Sequence, residues 1–362
     1  MKIALVSYST KPRGGVVHTL ALAEALAAAG EDVAVWTLGR GGDTGFFRPV
    51  HDAVEVRIVP FPDRPGGETV GERVLRSIEA LGAAFTPDEY DVVHAQDCIS
   101  ANAVGDCVRT VHHIDHFSTP ELAACHERAI ITPHSHVCVS HSVADELSAG
   151  WGVEAEVIPN GVAYERFADT TEQDRRYWTD RLGRYVLTVG GIEPRKGSLD
   201  LLEAYVLLRE RQPDVALVIA GGETLFDYRD YRRRWEDRAV ELGVEPVVLG
   251  PVAEHELPGL VAAASAFAFP STKEGFGLAA MEALAAGTPL VVRELPVLKE
   301  VFGAAARFAD GAESFAAELA AALADDDLDR REAGRTLAAA HTWQTAAERH
   351  IAFYRSLRRG RS

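Results

Sequence analysis

The sequence lacks several features that would assign it to a specialised class of protein. It has only four cysteines in 362 residues and no CxxC pair, so neither a zinc site nor a disulfide framework is predicted. The four thiols are expected to be buried. No apolar run approaches the ~20 residues that a membrane span needs. The chain runs from Met1 directly into the strand-like residues 3–6, which predicts no signal peptide and a cytoplasmic protein.

Positive charge is also scarce, because 37 lysines and arginines stand against 54 acidic residues, a formal net charge of −17. A nucleic-acid-binding protein needs a basic surface, so nucleic acid is not an expected partner. Any anionic ligand must instead be met by local cations or by helix N-termini. The basic C-terminus (Arg355, Arg358, Arg359 and Arg361) leaves two alternatives open: a frayed end in solution, or peripheral contact with an anionic membrane.

Short β-branched runs alternate with helical stretches through the first half of the chain. After the first strand, residues 16–29 place apolar side chains at helical spacing, and Gly30 supplies the C-terminal stop. This alternation predicts βαβ units and a parallel sheet. The predicted strands of this half are 3–7, 32–38, 54–60, 91–95, 108–112, 136–140 and 156–158.

The same alternation restarts in the second half, with predicted strands at 185–189, 216–220, 246–249, 266–269 and 289–292. A turn signal at Pro159-Asn160-Gly161 and a polar stretch over 168–183 separate the two sets. The sequence therefore predicts an α/β protein of two Rossmann-like, doubly wound domains, residues 1–163 and 164–342. A C-terminal helix and tail, 343–362, follow, and this helix is expected to cross back to the first domain. Ligands bind outside the carboxyl ends of such sheets, so two facing domains predict a shared cleft.

Two carboxylates lie in the segment from Ser271 to Pro289. A buried-looking strand ends just before it, and a helix is predicted to begin near Gly277, where free N–H groups can bind an anion or a hydroxyl. Glu282 lies one turn into this apolar helix, where burying a carboxylate is costly without a partner. Sugar hydroxyls would supply that partner. A hydrogen bond to a neighbouring loop is the structural alternative.

Two further loops join a strand to a helix. Arg195 and Lys196 lie in one of them, where cations can meet a diphosphate, although a solvated turn with charged tips would have the same sequence. Gly14-Gly15 lies in the other. Because this pair is not a GxGxxG motif, dinucleotide binding is not predicted, and a permissive turn is the alternative to ligand contact.

Several histidines follow predicted strands. In the run Thr110-Val111-His112-His113-Ile114-Asp115-His116, the adjacent His112 and His113 would point their rings apart in a strand, so no metal site is predicted. His94, in an earlier segment, is interpreted as structural.

Together these segments resemble glycosyltransferase family 4, a family of retaining enzymes with the two-domain GT-B fold. Glu274 and Glu282 match its E-x7-E motif, in which the first glutamate and the following amides hold the donor sugar and the second glutamate holds the ribose. The resemblance therefore implies that Glu274, Phe276, Gly277 and Leu278 contact the sugar and phosphate, and that Glu282 contacts the ribose.

The other loops resemble further motifs of the same family. Lys196 matches the lysine of its G-R-x-x-x-x-K-G loop, whose cations neutralise the leaving diphosphate. Gly191 stands where the family has arginine, and Arg195 is the proposed substitute. Gly15 is implied to approach the donor phosphate and the acceptor.

The histidine segments also have family counterparts. His112 matches the histidine of the T-V-H-D segment, which faces the donor sugar, and His113 replaces the aspartate. The segment around His94 is similar to D-V-V-H-x-H, with Gln96 in place of the second histidine.

The resemblance implies a transferase that moves a sugar from a nucleoside-diphosphate sugar to an acceptor hydroxyl with retention, without a metal or other cofactor. His112, Glu274 and Lys196 are the expected catalytic residues. The acceptor is expected on the first domain, near Gly15 and the loops 39–45 and 65–71. Two alternatives remain open on the same fold: a nucleotide-sugar epimerase and a non-catalytic nucleotide-sugar binding protein. The sequence does not predict the donor sugar, its base, the acceptor or the oligomeric state.

Overall fold

Parallel strands organise the chain in the computed structural model, which describes residues 1–64, 66–115, 120–222, 228–324 and 327–360. The predictions that involve Pro65, His116 and Arg361 lie outside these residues. The chain divides into two compact units. Unit 1 comprises Met1–Gly161 and Trp343–Ser362, and unit 2 comprises Val162–Thr342. The division inferred from sequence lies at residues 163 and 342.

The described part of unit 1 contains seven parallel strands in the order β3-β2-β1-β4-β5-β6-β7. The strands are β1 (Lys2–Val6), β2 (Asp32–Arg40), β3 (Val54–Phe61), β4 (Val92–Ala95), β5 (Val108–Val111), β6 (Ser135–Cys138) and β7 (Glu156–Val157). The helices between them are α1 (Gly14–Ala28), α2 (Val70–Ala84), α3 (Cys98–Val104), α4 (Pro120–Ile131) and α5 (His141–Trp151).

Unit 2 has, within the described residues, six parallel strands in the order β10-β9-β8-β11-β12-β13. They are β8 (Arg184–Val189), β9 (Val215–Ala220), β10 (Val247–Gly250), β11 (Ala266–Phe269), β12 (Leu290–Arg293) and β13 (Arg307–Ala309). The helices are α6 (Tyr164–Ala168), α7 (Glu172–Leu182), α8 (Ser198–Arg211), α9 (Arg229–Glu241), α10 (Leu257–Ala263), α11 (Leu278–Ala285), α12 (Pro296–Phe302), α13 (Gly311–Ala324) and α14 (Leu328–Ala340).

The last helix, α15 (Trp343–Gly360), belongs to unit 1 although it follows unit 2 in the chain. Ile351 and Tyr354 of α15 are buried in the same apolar cluster as Ile3 and Leu5 of β1. At about 25 cal/mol per Å² of apolar surface removed from water, such burial stabilises the helix on this unit. The prediction that the C-terminal helix returns to the first domain is therefore confirmed.

The twelve predicted strands are all present, so the α/β fold with two Rossmann-like sheets is confirmed. Strand β13 was not predicted, because three residues are too few to show a period. The polar stretch 168–183 contains helix α7, which begins with a capping box between Thr171 and Asp174.

Both sheets change the direction of their strand order at one position, between β1 and β4 and between β8 and β11. At such a switch point the flanking loops diverge and leave a crevice at the carboxyl ends of the strands. The loops after β1, β4, β8 and β11 are therefore where ligand-binding residues are expected.

Two smaller expectations can also be compared with the structure. All four cysteines are free thiols; Cys107, Cys125 and Cys138 are buried, whereas Cys98 is only partly buried. No helix in the described ranges combines the length and the apolar character needed to cross a membrane.

Candidate functional site

The loops after β8 and β11 are held together in unit 2 by a glycine and by backbone hydrogen bonding. Gly197 has a φ of +63°, and a Cβ there would lie 2.2 Å from the carbonyl oxygen of Pro270, so any other residue would be strained and would clash. The amide of Thr272 donates to the carbonyl oxygen of Arg195 at 2.8 Å. The short turn Pro194–Lys196 is therefore fastened beside the loop that carries Glu274.

Four charged side chains meet at this point and form what is here named the cation–carboxylate cluster: Glu193, Arg195, Lys196 and Glu274. Lys196 Nζ donates to Glu274 Oε1 at 2.7 Å, and Arg195 Nη1 donates to the same oxygen at 3.2 Å. Arg195 Nη2 lies 3.5 Å from Glu193 Oε1. The Glu274 side chain is 12% exposed and that of Lys196 is 20% exposed, so these charges are only weakly screened by water.

The structure thus brings Arg195 and Lys196 to the same carboxylate, as a joint role at a diphosphate would require. Sequence reasoning missed Glu193, which lies next to Pro194 in the same loop. The only signal for it was its position two residues before Arg195, and that spacing does not by itself predict an ion pair.

Helix α11 begins immediately after this cluster, at Leu278. Gly277 precedes it with a φ of +97°, and a Cβ there would lie 3.1 Å from the Phe302 ring. The N-cap residue Gly277 has no side chain with which to cap this helix end, so the first N–H groups of the helix can bind a ligand. The Phe276 side chain is buried, at 3% exposure, so this residue offers a ligand its backbone rather than its ring.

Glu282 lies on α11 and is half-buried. Within the described residues its side chain makes no hydrogen bond or ion pair. Burial raises the pKa of its carboxyl to about 7; Arg166 counteracts this effect and Glu254 adds to it. Arg166 itself is paired with Glu254 at 2.9 Å. The alternative of a structural glutamate bonded to a nearby loop therefore finds no partner in the described part of the chain.

In unit 1, His112 lies against the start of α1. A Cβ on Gly15 would lie 3.8 Å from His112 Nε2, an ordinary van der Waals distance, so the imidazole lies directly beside the backbone of Gly15. Nε2 is buried without a hydrogen-bond partner among the described residues. Burial is the main cause that lowers the pKa of His112 to about 3, and the neighbouring His113 and Arg109 act in the same direction. The ring is therefore neutral at physiological pH.

His112 is part of a histidine cluster, here defined as His18, His94, His112 and His350. The rings of His18 and His112 are 4.7 Å apart between centroids, and those of His94 and His350 are 5.7 Å apart. Burial is the largest cause that lowers the pKa of each member below its usual value. The α15 helix contributes His350, so packing of this helix completes the cluster.

Both ring nitrogens of His94 have partners: Nδ1 lies 2.6 Å from Tyr354 Oη, and Nε2 lies 2.7 Å from Thr110 Oγ1. These two bonds support the interpretation of His94 as structural. Gln96, two residues later, is buried, and neither atom of its side-chain amide has a partner within the described ranges. Such unpaired buried polar groups are rare in proteins.

No group of three or more histidine, cysteine, aspartate or glutamate side chains in the described ranges is arranged to hold a metal ion. His113 Nε2 pairs with Asp115 at 3.2 Å instead. Metal independence stays an expectation from the sequence.

Comparison with protein families gives two matches that follow one another along the chain. Residues 12–166 match the family described as Glycosyltransferase Family 4. Residues 170–336 match the family described as Glycosyl transferases group 1. The second match contains the whole cation–carboxylate cluster and α11, and the first contains Gly15 and His112.

Individual proteins resemble the chain over nearly its whole length. The glycogen synthase of Mycobacterium tuberculosis is 30% identical over 407 residues, covering 99% of this chain and 96% of that protein. The sucrose-phosphate synthase of Thermosynechococcus elongatus shares its fold with a TM-score of 0.81 at 21% identity, over 99% of this chain and 100% of that one. HepE from Anabaena, solved in complex with UDP and glucose, has a TM-score of 0.74 at 20% identity, over 98% and 100% of the two chains.

Proposed function

We propose that this chain, which belongs to the group 1 glycosyltransferases of family 4, uses a nucleoside-diphosphate sugar as donor and transfers the sugar with retention of its anomeric configuration. The observation that carries the proposal is the meeting of Arg195 and Lys196 at Glu274, beside the uncapped start of α11 and at the switch point of the second sheet. The donor would bind mainly to unit 2 and the acceptor to unit 1.

The leaving group of this reaction is a nucleoside diphosphate, on which negative charge develops as the anomeric C–O bond breaks. Lys196, Arg195 and the N–H groups at Gly277 and Leu278 would stabilise that charge, since they are already held in position before the donor binds. Without a ligand, Glu274 balances the two cations and limits their mutual repulsion. In the complex, the diphosphate takes over part of this role, and Glu274 becomes available to the hydroxyls of the donor sugar.

Glu282 would accept hydrogen bonds from the ribose hydroxyls of the donor. Its lack of a partner in the described part of the chain supports this role, because a half-buried carboxylate is costly unless something donates to it. The ribose would supply two donors without adding a charge. Binding of the ribose would also favour the ionised form of Glu282.

On the acceptor side, His112 is suited to hydrogen-bond the donor sugar and poorly suited to remove a proton. A general base works best when its pKa lies near the operating pH, whereas that of His112 is lowered to about 3. We therefore propose a front-face transfer. The acceptor oxygen bonds to the anomeric carbon, the bond from that carbon to the phosphate oxygen breaks, and that phosphate oxygen receives the acceptor proton.

Thermal-shift measurements with UDP-, GDP-, ADP- and dTDP-sugars would identify the donor. A ligand at ~100 times its dissociation constant stabilises a fold by about 2.7 kcal/mol, which is enough to rank the four. We expect one class of donor to stabilise the protein, with EDTA present. If none of the four did, the proposed donor site would be wrong.

Proton NMR of the isolated product would then test the stereochemistry. The anomeric coupling constant is expected to show the configuration of the donor, with EDTA again present during turnover. A product of opposite configuration would overturn the mechanism but leave the donor site standing. Acceptor-independent conversion of the donor would instead favour the epimerase alternative.

A further inference from the structure

Two arginines that form no ion pair within the described residues converge at the carboxyl edge of the unit 1 sheet. Arg13 directly precedes α1, and Arg40 ends β2. Both are partly buried. The guanidinium carbon of Arg13 lies 5.9 Å from the centre of the Tyr8 ring, and that of Arg40 lies 5.6 Å from it. Two like charges are therefore held around one aromatic ring that follows β1.

Neither guanidinium forms an ion pair with a carboxylate within the described residues. Arg13 Nη1 donates to Tyr8 Oη at 2.7 Å, and its Nε is buried without a partner. The Arg40 side chain makes no hydrogen bond or ion pair within the same residues. Burial lowers the pKa of Arg40, the nearby Tyr8 opposes this shift, and the positive charges of Arg73 and Arg13 add to it.

The carboxylates around this edge are already engaged. Glu68 pairs with Arg76 at 2.6 Å, and Asp43 pairs with Lys11 at 2.9 Å. Asp97 accepts from the backbone amides of Tyr8 and Ser100. Asp63 is the remaining acidic neighbour of Arg40, and it lies exposed to water.

The start of α1 adds to the positive potential. Arg13 occupies the N-cap position of this 15-residue helix without a side-chain hydrogen bond to its first turn, and no acidic residue lies in that turn. Partial positive charge at a helix N-terminus favours anions. The first N–H groups of α1 and the Arg13 guanidinium therefore favour the same kind of ligand.

We infer that Arg13 and Arg40 bind the phosphate group of a phosphorylated acceptor, either a free sugar or polyol phosphate or the headgroup of a lipid. This inference rests on the proposed function and specifies its acceptor. Arginine matches phosphate well, because its planar fork can donate two parallel hydrogen bonds to one anion. The phosphate is not transferred; it positions the acceptor, while a hydroxyl elsewhere on the same molecule forms the new glycosidic bond.

Matched pairs of probes test the inference by calorimetry. Glucose 6-phosphate is compared with glucose, and inositol 3-phosphate with inositol, at saturating nucleoside diphosphate so that the unit 2 cations are occupied. A third arm compares phosphatidylcholine vesicles that contain phosphatidylinositol 4-phosphate with vesicles that contain the same fraction of phosphatidylinositol, which lacks the 4-phosphate. We expect a phosphorylated probe to bind at least 10-fold more tightly than its unphosphorylated partner, and the arm in which this occurs identifies the source. Equal binding within every pair would overturn the inference.

Substitutions assign the effect to the two arginines. Arg13→Gln and Arg40→Gln are each expected to weaken binding of the preferred probe by about 10- to 100-fold, whereas Arg40→Lys should retain part of the affinity. Arg57→Gln is the matched control, since Arg57 lies in β3 and is paired with Glu55 at 2.7 Å. If Arg13→Gln and Arg40→Gln bound the preferred probe as tightly as wild type while remaining folded by circular dichroism, the inference would be overturned.

The affinity for UDP and GDP separates this inference from the proposed function. We expect it to be unchanged in Arg13→Gln and Arg40→Gln. Weaker nucleotide binding with an intact preference for phosphate would assign the arginines to the donor and overturn the inference alone. A wild-type protein that binds no nucleotide would refute the proposed function, whatever the phosphate probes show.

Discussion

The two sheets have the same strand order on either side of their switch points, but the cations at their carboxyl edges differ in whether a carboxylate pairs with them. In unit 2, Arg195 and Lys196 are paired with Glu274 before any ligand arrives. In unit 1, Arg13 and Arg40 form no ion pair within the described residues, and Asp63, the acidic neighbour of Arg40, lies exposed to water. The shared topology places loops at equivalent positions, but the residues in those loops decide whether a charge is balanced by the protein or left for a ligand.

Buried ionisable groups show a second contrast. Burial raises the pKa of Glu282 in unit 2, whereas it lowers the pKa of the histidine cluster in unit 1. The physical cause is the same in both places, because loss of water disfavours whichever form carries the charge. The stability of the two units should consequently change with pH in opposite directions. Glu282 becomes charged by losing a proton as pH rises, whereas the histidines become charged by gaining one as pH falls.

The largest expected effect is acid destabilisation of unit 1. Its buried histidines are neutral in the folded state but have a pKa near 6.5 in the unfolded state. Their contribution to stability is therefore fully present above pH 6.5 and is lost as pH falls towards 4. His112 and His350 have pKa values lowered to about 3 and about 4. The free energy of unfolding should fall by several kcal/mol over this range, on the order expected for shifts of this size.

Hydrogen exchange measured by mass spectrometry would follow each unit separately. Peptides from 1–161 and 343–360 should lose protection between pH 6.5 and 4 before peptides from 162–342. His350→Asn keeps a donor for the Ala346 carbonyl and removes one titrating group, so it should shift this loss to lower pH. His255→Gln, an exposed histidine of unit 2, is the control. Simultaneous loss in both units would contradict the contrast.

The next effect is on diphosphate binding by unit 2. Lys196→Ala should weaken UDP or GDP binding by roughly 1.5–3 kcal/mol, the range for a hydrogen bond to a charged group. Arg195→Ala tests whether this residue replaces the arginine that is absent at Gly191. Isothermal titration calorimetry gives both values.

Arg184→Ala is the matched control for these variants, because Arg184 begins β8 at the opposite edge of the sheet and pairs with Asp214 at 2.7 Å. An unchanged affinity in Lys196→Ala would remove this lysine from the donor site. If Arg195→Ala bound nucleotide and turned over like wild type, Arg195 would be a surface residue without a role at the diphosphate.

A smaller effect is expected for Glu282→Gln. A raised pKa means that ionisation of Glu282 costs the folded state free energy as pH rises from 4.5 through about 7. The neutral variant should therefore be more stable than wild type at pH 8, by about 1–2 kcal/mol after allowance for its partial exposure. It should also discriminate less between a ribonucleotide and its 2′-deoxy analogue.

Denaturant unfolding at pH 5 and pH 8, with calorimetry on both nucleotides, measures the two quantities. Greater stability together with weaker discrimination is the pattern expected of a residue kept for ligand binding. A variant that is less stable at pH 8 and has unchanged nucleotide preference would show that Glu282 is structural.

Much of the fold could be predicted because it depends on local patterns. β-Branched runs and helical spacing are properties of short segments, so twelve of the strands and the division into two sets could be read along the chain. Strand β13 was not predicted, since Arg307–Ala309 is too short to show the alternation typical of a strand. The glutamate pair, Lys196 and His112 could be named as candidates because their motifs are continuous in sequence and do not require knowledge of packing.

The sequence by itself determined the alternation of strands and helices, the apolar faces that form the two cores, and the motif residues at the strand ends. Only the tertiary structure decided which of these residues meet. Glu274 reaches Lys196 across 78 positions, and His94 reaches Tyr354 across 260. Such contacts depend on strand order and on the docking of α15, and no local pattern encodes the distance between two segments. Burial decides the charge state of His112 and Glu282 for the same reason, since water is excluded by neighbours that are remote in the chain.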